Sequence, residues 1–395
     1  MFRDYKHIAL ILLALVASGV GRVQAQTPAN TTNGVAACPQ RKATVNAAFD
    51  AIANKFSSNF VGMCVGAIGP PGAIGTGYAA TKCYGETLAG SGNRPTSHTL
   101  FWTGSVTKTM TATLLALRVN QDSVNLNDRV DAYLPSAYHI PKITLLHLAD
   151  MESGLQRNPP DPYQTPADET QLYTDLQACV GDPTCWKGIN RYSYSNFGYG
   201  VLGNVLANHD GSLKWSLDNF YYVMAPLGMF DTKTSEDYNS VDFLNRRSYG
   251  HVRTSDGDWL ASRITNQSFG AAPAGGLWST PSDMLIWLGN SMGSVGSNRD
   301  VDSALALTTQ CRGPWGNKNS SCSSVQDCGS CTGLAWTEDI DPCTLGVRIS
   351  KSGAVPGFRA WIGFDTATNR GVFVLLNSEA IKGDAVGEKL LDMIP

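Results

Sequence analysis

Phe101-Trp102-Thr103-Gly104-Ser105-Val106-Thr107-Lys108-Thr109-Met110 sets a hydroxyl and an amine three residues apart at what reads as the start of a helix. Downstream, Val106, Met110, Leu114 and Leu117 recur at helical spacing, which predicts a helix opened by Ser105 and running to about Asn120. Ser105 and Lys108 then share one face, a turn apart. A serine hydroxyl needs a nearby base to become a nucleophile at neutral pH, and a desolvated lysine can be neutral enough to serve. The start of a helix adds free N–H groups and a positive dipole end, both useful where an oxyanion forms. Alone, Ser-x-x-Lys equally fits a solvated helix start with a capping serine, so its meaning depends on the rest of the chain.

The chain has 395 residues, enough for one large domain or two ordinary ones with a full core. Only 16% of residues are charged, the net charge is −3, and no basic face or polybasic run points to nucleic acid or an anionic membrane. There is no P-loop and no Gly-x-Gly-x-x-Gly between a strand and a helix, so nucleotide binding is unsupported. Arg3 and Lys6 precede an apolar run from Ile8 to Val20, and Val23-Gln24-Ala25 offers small residues for cleavage after Ala25. This reads as a signal peptide over residues 1–25, the alternative being an uncleaved anchor, and predicts a secreted or periplasmic protein.

Ten cysteines in an exported chain favour disulfides. Cys179 and Cys185 bracket a turn-rich loop that a local bridge could close. Cys64 and Cys83 lie on strand-like runs flanking Pro70-Pro71-Gly72. Cys311, Cys322, Cys328, Cys331 and Cys343 form an odd-numbered cluster, so if all ten pair, Cys38 must reach it. Cys328-Gly-Ser-Cys331 also has zinc-ligand spacing, but no histidine lies near it. Val35-Ala36-Ala37-Cys38 has the form of a lipoprotein cleavage box, yet sits well beyond the apolar run.

In chain order, Val45, Phe49, Ile52 and Phe56 mark an amphipathic helix, and strands are expected over Phe60 to Ile68 and Tyr78 to Tyr84. A second helix should open at Thr144 and end near Gly154, with His147 a structural residue of its first turn. Arg157 to Thr170, rich in Pro, Asp and Gln, reads as a long surface loop in which Asn158 could face a substrate. Helices should follow through Leu176, from Tyr199 to Ala207, and from Leu213 to Met224. Ala274-Gly275-Gly276-Leu277 reads as a tight turn before a helix over Asp283 to Gly289, capped by Ser279 or Thr280. Strands are expected at Gly346 to Ser350, Arg359 to Phe364 and Gly371 to Leu376, then a helix from Ala385 to Met393. Strands at both ends with helices between them predict an α+β fold. Its antiparallel sheet would be flanked by N- and C-terminal helices and interrupted by an all-helical subdomain at roughly 116–245. Residues 26–395 then form a single domain, with a cysteine-rich insertion at 311–343.

Two further fragments give the Ser105 stretch its meaning. Tyr194-Ser195-Asn196 offers a phenol and a carboxamide just before a helix. Lys351-Ser352-Gly353 follows an apolar run, so it should lie on a strand whose glycine lets a substrate backbone approach closely. In this order the three fragments resemble the serine β-lactamase and penicillin-binding-protein superfamily. The tyrosine, about ninety residues after the serine, points to the class C branch with its D-alanyl-D-alanine carboxypeptidases, D-aminopeptidases and esterases. Leu126-Asn127-Asp128, His147-Leu148, Ser153-Gly154-Leu155, Ala274-Gly275-Gly276-Leu277 and Gly357-Phe358 extend the resemblance over nearly the whole mature chain. Tyr84-Gly85-Glu86-Thr87 with Asn93-Arg94-Pro95 is similar to the AmpH-type periplasmic carboxypeptidases. The cysteine-rich insertion departs from that pattern, as does Ser352 where many relatives carry threonine.

The resemblance implies that Ser105 is acylated, that Lys108 and Tyr194 share its proton, and that Lys351 adds positive charge and attracts a substrate carboxylate. It further implies that Asn196 binds the acyl amide, with Ser352, Gly353 and Ala354 lining the substrate site and the amides of Ser105 and Ala354 forming an oxyanion hole. It implies no cofactor and no metal, a β-lactam or peptidoglycan stem peptide as substrate, no nucleic acid partner and no stable membrane span, and leaves the oligomeric state open. β-Lactamase, carboxypeptidase, D-aminopeptidase and esterase chemistry all fit, as does a non-catalytic penicillin-binding-like receptor.

Overall fold

Gly62–Gly69 is apolar on both faces, as suits a strand buried inside a sheet. The computed structural model describes residues 38–395 except 71–76, 141, 161–168, 213, 235–236, 263–270, 297 and 314–323; the signal segment, the Val35-Ala36-Ala37 box, Cys322 and most of the Pro-rich loop lie outside the described residues. The strands β1 (Gly62–Gly69), β2 (Tyr78–Gly85), β3 (Ser330–Thr332), β4 (Thr337–Ile340), β5 (Val347–Val355), β6 (Phe358–Asp365) and β7 (Arg370–Leu376) form one sheet. Its order is β2-β1-β7-β6-β5-β4-β3, and every adjacent pair is antiparallel. The expected α+β architecture is therefore present. Residues 311–343, read from the sequence as an insertion, contribute β3 and β4 as the strands at one edge of the sheet.

Alternation sorts the sheet's side chains onto two faces. Met63, Val65 and Ala67 of β1, Trp361 of β6 and Val372, Val374 and Leu376 of β7 meet helices from the two ends of the chain. Those are α1 (Val45–Lys55), whose Thr44 cap accepts from Ala47 N, and the last helix, Gly383–Met393. The opposite face, with Ile349, Ala360, Ile362, Phe364, Phe373 and Leu375, joins the larger core of the helical part.

The central helix of that part is α2 (Thr107–Asn120), and one expectation changes there. Ser105 does not open it, because Gly104–Val106 form a 3₁₀ turn that precedes the helix. Residues 107–118 of α2 are all buried. Its threonines bury their hydroxyls by bonding backbone carbonyls, Thr109 to Val106 O and Thr113 to Thr109 O, both at 2.8 Å, so a polar-looking face fits inside the protein.

The helix expected to reach Gly154 stops after Leu145–Ala149. His147 closes a reciprocal cap with Thr144, donating its N–H to Thr144 Oγ1 while Nδ1 accepts from Thr144 N. Ala272–Gly275 forms a short helix where a turn was expected, and Thr280 caps a longer Pro281–Ser291 helix. The segment expected as one helix to Met224 is Trp215–Asn219 continued by a π turn.

Disulfides join Cys64 to Cys83, Cys179 to Cys185, Cys311 to Cys331 and Cys38 to Cys343, and Cys328 is also disulfide-bonded. Cys38 thus reaches the cluster, and Cys331 and Cys328 hold disulfides rather than free thiols for a metal. No helix among the described residues is long and apolar enough to cross a membrane.

Candidate active site

The site forms where the 3₁₀ turn, the edge of β5 and the start of the helix α3 (Asn196–His209) converge. Gly104 has φ +53, a conformation that favours glycine, and a Cβ there would lie 2.9 Å from Ala354 N. A Cβ on Gly353 would lie 2.0 Å from Thr103 O. These close approaches set Ser105 against β5. Gly353→Ala must therefore push the strand from the turn. We expect a loss of about 1 to 3 kcal/mol of stability and a larger fall in acylation, checked by urea unfolding beside an acylation assay. An alanine variant that acylates at the wild-type rate would show the approach to be dispensable.

Tyr194 precedes α3 in extended chain, and Ser195 caps that helix, accepting from Gly198 N at 2.8 Å while its hydroxyl donates to Gln156 O. The peptide N–H of Asn196 donates to Arg157 O at 2.6 Å, tying the helix start to the 156–158 loop. This double anchoring fixes the phenol.

Ser105 Oγ lies 2.5 Å from Tyr194 OH and 3.2 Å from Lys108 Nζ. Lys108 is fully buried, and its Nζ also meets Asn196 Oδ1 at 2.7 Å and Ala274 O at 2.5 Å. Asn196 Nδ2 donates to Asn158 Oδ1 at 2.8 Å. Lys351 Nζ lies 5.2 Å from the Tyr194 ring centre, and the chain brings Ser105, Lys108, Tyr194, Asn196 and Lys351 together around that ring. Ser352 and Ala354 are exposed on β5, where β4, pairing only with 347–350, no longer covers the strand.

The charges follow from burial. Lys108 is held well below its ordinary value, first by desolvation and then by the nearby positive charges of Lys351 and Arg157. Desolvation likewise lowers Lys351 to about 7. The Tyr194 phenol is pushed up to about 12, again chiefly by desolvation, with the Ser105 hydrogen bond and Arg157 pulling the other way.

Three contributors lie outside the sequence motifs: the Ala274 carbonyl, Tyr199, whose ring is 5.5 Å from Lys108 Nζ, and Arg157, whose guanidinium is 4.8 Å from the Tyr194 ring. The flanking Ala274-Gly275-Gly276-Leu277 match was the only sequence signal for any of them. Elsewhere, Asp341, Cys343 and Asp392 bring three potential metal donors together. The Cys343 sulfur is bonded to Cys38 and Arg348 pairs with both carboxylates, so these donors are already engaged.

Among solved structures, a class C beta-lactamase matches with a TM-score of 0.70 at 22% identity, over 89% of this chain and 95% of that one. The D-alanine carboxypeptidase AmpC from Burkholderia cenocepacia matches with a TM-score of 0.69 at 21% identity, over 88% and 97%. The fold is thus that of the class C β-lactamases. The chain belongs to the Beta-lactamase family, whose model matches residues 65–392, on the branch of class C β-lactamases and D-alanyl-D-alanine carboxypeptidases. It is 30% identical over 222 residues to the D-alanyl-D-alanine-carboxypeptidase/endopeptidase AmpH of Escherichia coli (strain K12), a match covering 52% of each chain. The chain thus spans about half the length of the curated relatives it matches. The family is one of serine hydrolases.

Proposed function

We propose that this protein is an exported serine hydrolase that cleaves D-Ala-D-Ala peptides, β-lactams or both through an acyl-enzyme on Ser105. The observation that carries this reading is the placement of Ser105 Oγ between Lys108 Nζ and the Tyr194 hydroxyl. A neutral lysine has two N–H bonds and one lone pair. Asn196 Oδ1 and Ala274 O can only accept, so they take the two N–H bonds and leave the lone pair facing the Ser105 hydroxyl. Burial favours that neutral form. Tyr194, a neutral phenol at physiological pH, donates to Ser105 Oγ.

In acylation, Oγ bonds the scissile carbonyl carbon, its proton passes to Lys108, and the C–N bond breaks as the leaving nitrogen takes a proton from Tyr194. The two residues share one proton network, so the pair carries the acid–base work. Water then attacks the ester, releases the acid and restores the Ser105 hydroxyl. The exposed edge of β5 at Ser352 and Ala354 would receive the substrate backbone, and the amides of Ser105 and Ala354 would bind the oxyanion.

Lys351 suits a substrate whose terminal carboxylate lies just beyond the scissile nitrogen, as in D-Ala-D-Ala or a penicillin. Lys351→Ala should cost roughly 1.5 to 3 kcal/mol more in kcat/KM for such substrates than for neutral nitrophenyl acetate. Because Lys351 loses its proton near 7, the KM for the anionic substrates should rise above that pH while the ester KM stays flat. Equal losses for both substrate types would remove carboxylate recognition from Lys351. A protein that cleaves the ester but neither peptide nor penicillin is an esterase.

A further inference from the structure

Arg157 is built into the site, although no motif includes it. Its carbonyl accepts from Asn196 N at 2.6 Å and Phe197 N at 3.3 Å, and its neighbour Asn158 receives Asn196 Nδ2. Its guanidinium carbon lies over the Tyr194 ring, 4.8 Å from the ring centre, which already has Lys108 at 5.0 Å and Lys351 at 5.2 Å. Three basic side chains thus surround one phenol. No carboxylate among the described residues forms an ion pair with any of them.

Of the three, Arg157 alone is exposed, and no described residue accepts a hydrogen bond from its guanidinium. A cation–π contact spends none of the guanidinium's N–H donors, which in number and planar fork match a carboxylate. Arginine also keeps its charge throughout the pH range in which the lysines lose theirs.

We propose that Arg157 is a specificity-determining residue that binds an anionic group, a carboxylate, on the acyl side of the substrate. The side follows from its neighbours: Asn158 is hydrogen-bonded to Asn196, which on the proposed reading binds the acyl amide, whereas Lys351 on that reading serves the leaving-group carboxylate. Arg157 and Lys351 are at most about 10 Å apart, the sum of their distances to the shared ring. The two cations therefore read a substrate that carries one carboxylate on each side of the scissile bond. This inference rests on the Ser105 acyl-enzyme reading.

The test uses two matched pairs of acylating agents on the full protein: benzylpenicillin against carbenicillin, and nitrophenyl acetate against nitrophenyl hemisuccinate. Each pair differs chiefly by a carboxylate on the acyl side. The wild type should favour the anionic member by about tenfold. Arg157→Gln should abolish that ratio and Arg157→Lys should keep part of it. The neutral members report any effect that losing the Arg157 charge has on Lys108, so the ratio isolates recognition. A ratio unchanged in Arg157→Gln, or a wild type without preference in either pair, would overturn the proposal while leaving the acyl-enzyme intact. Reaction with no member of either pair would overturn both.

Discussion

Ser105→Ala is expected to lower the turnover of every acyl substrate by at least about 10⁴-fold and to abolish covalent labelling by penicillins. The hydroxyl is the only atom at this position that can bond the acyl carbon, and both its polar neighbours lie within hydrogen-bond reach of it. Removing Oγ takes an acceptor from Tyr194 and leaves the turn intact. Gly104 still folds at positive φ, and Thr107 N still bonds Gly104 O and Ser105 O. Stability should therefore change by no more than about 2 kcal/mol. Circular dichroism and urea unfolding check the fold, and hydrolysis of a chromogenic cephalosporin or a D-Ala-D-Ala peptide checks the chemistry. Substantial activity in a folded alanine variant would mean that another nucleophile works here.

Lys108→Met should have the second largest effect. Methionine nearly matches the lysine stem in volume, so the packing around α2 survives while the proton acceptor disappears. Loss of a general acid–base group predicts a fall of about 10² to 10⁴ in acylation rate. In the proposed mechanism acylation requires the neutral amine, so the rate should fall as pH drops through the lowered Lys108 pKa. Stability responds in the same direction. Between that folded-state value and the ordinary 10.5, the unfolded chain binds a proton that the folded protein lacks, so stability rises with pH across this window. The methionine variant lacks this contribution, and its unfolding free energy should rise less steeply with pH. Parallel stability–pH curves would show that Lys108 is not held neutral by the fold.

Much of this was legible in the sequence because the chemistry fixes residue types at short spacings. Ser105 with Lys108, Tyr194 with Asn196, and Lys351 with Gly353 each lie within three residues of one another, and the structure brings all three fragments to one ring. The strands β1, β6 and β7 were legible because their side chains alternate between two buried faces. By contrast, β3 and β4 read Ser-Cys-Thr and Thr-Glu-Asp-Ile, with no apolar alternation, and they exist because β5 offers them an edge. The burial of α2 escaped notice because four of its buried residues are threonines whose hydroxyls are satisfied within the fold.

Parity alone required Cys38 to join the cluster, but nothing in the spacing selects Cys343. Arg157 illustrates the same limit. Its guanidinium over the Tyr194 ring is a contact between residues 37 positions apart, with the Asn196 amide holding its carbonyl, and no periodicity records such a contact.

The most direct test of the account is to incubate the purified mature protein with a fluorescent penicillin, follow labelling and its decay, and map the adduct by peptide mass spectrometry. A single adduct is expected, on Ser105, that forms with the wild type, is absent from Ser105→Ala, and decays as water regenerates the free enzyme. An adduct on any other residue, or labelling that persists unchanged in Ser105→Ala, would contradict it.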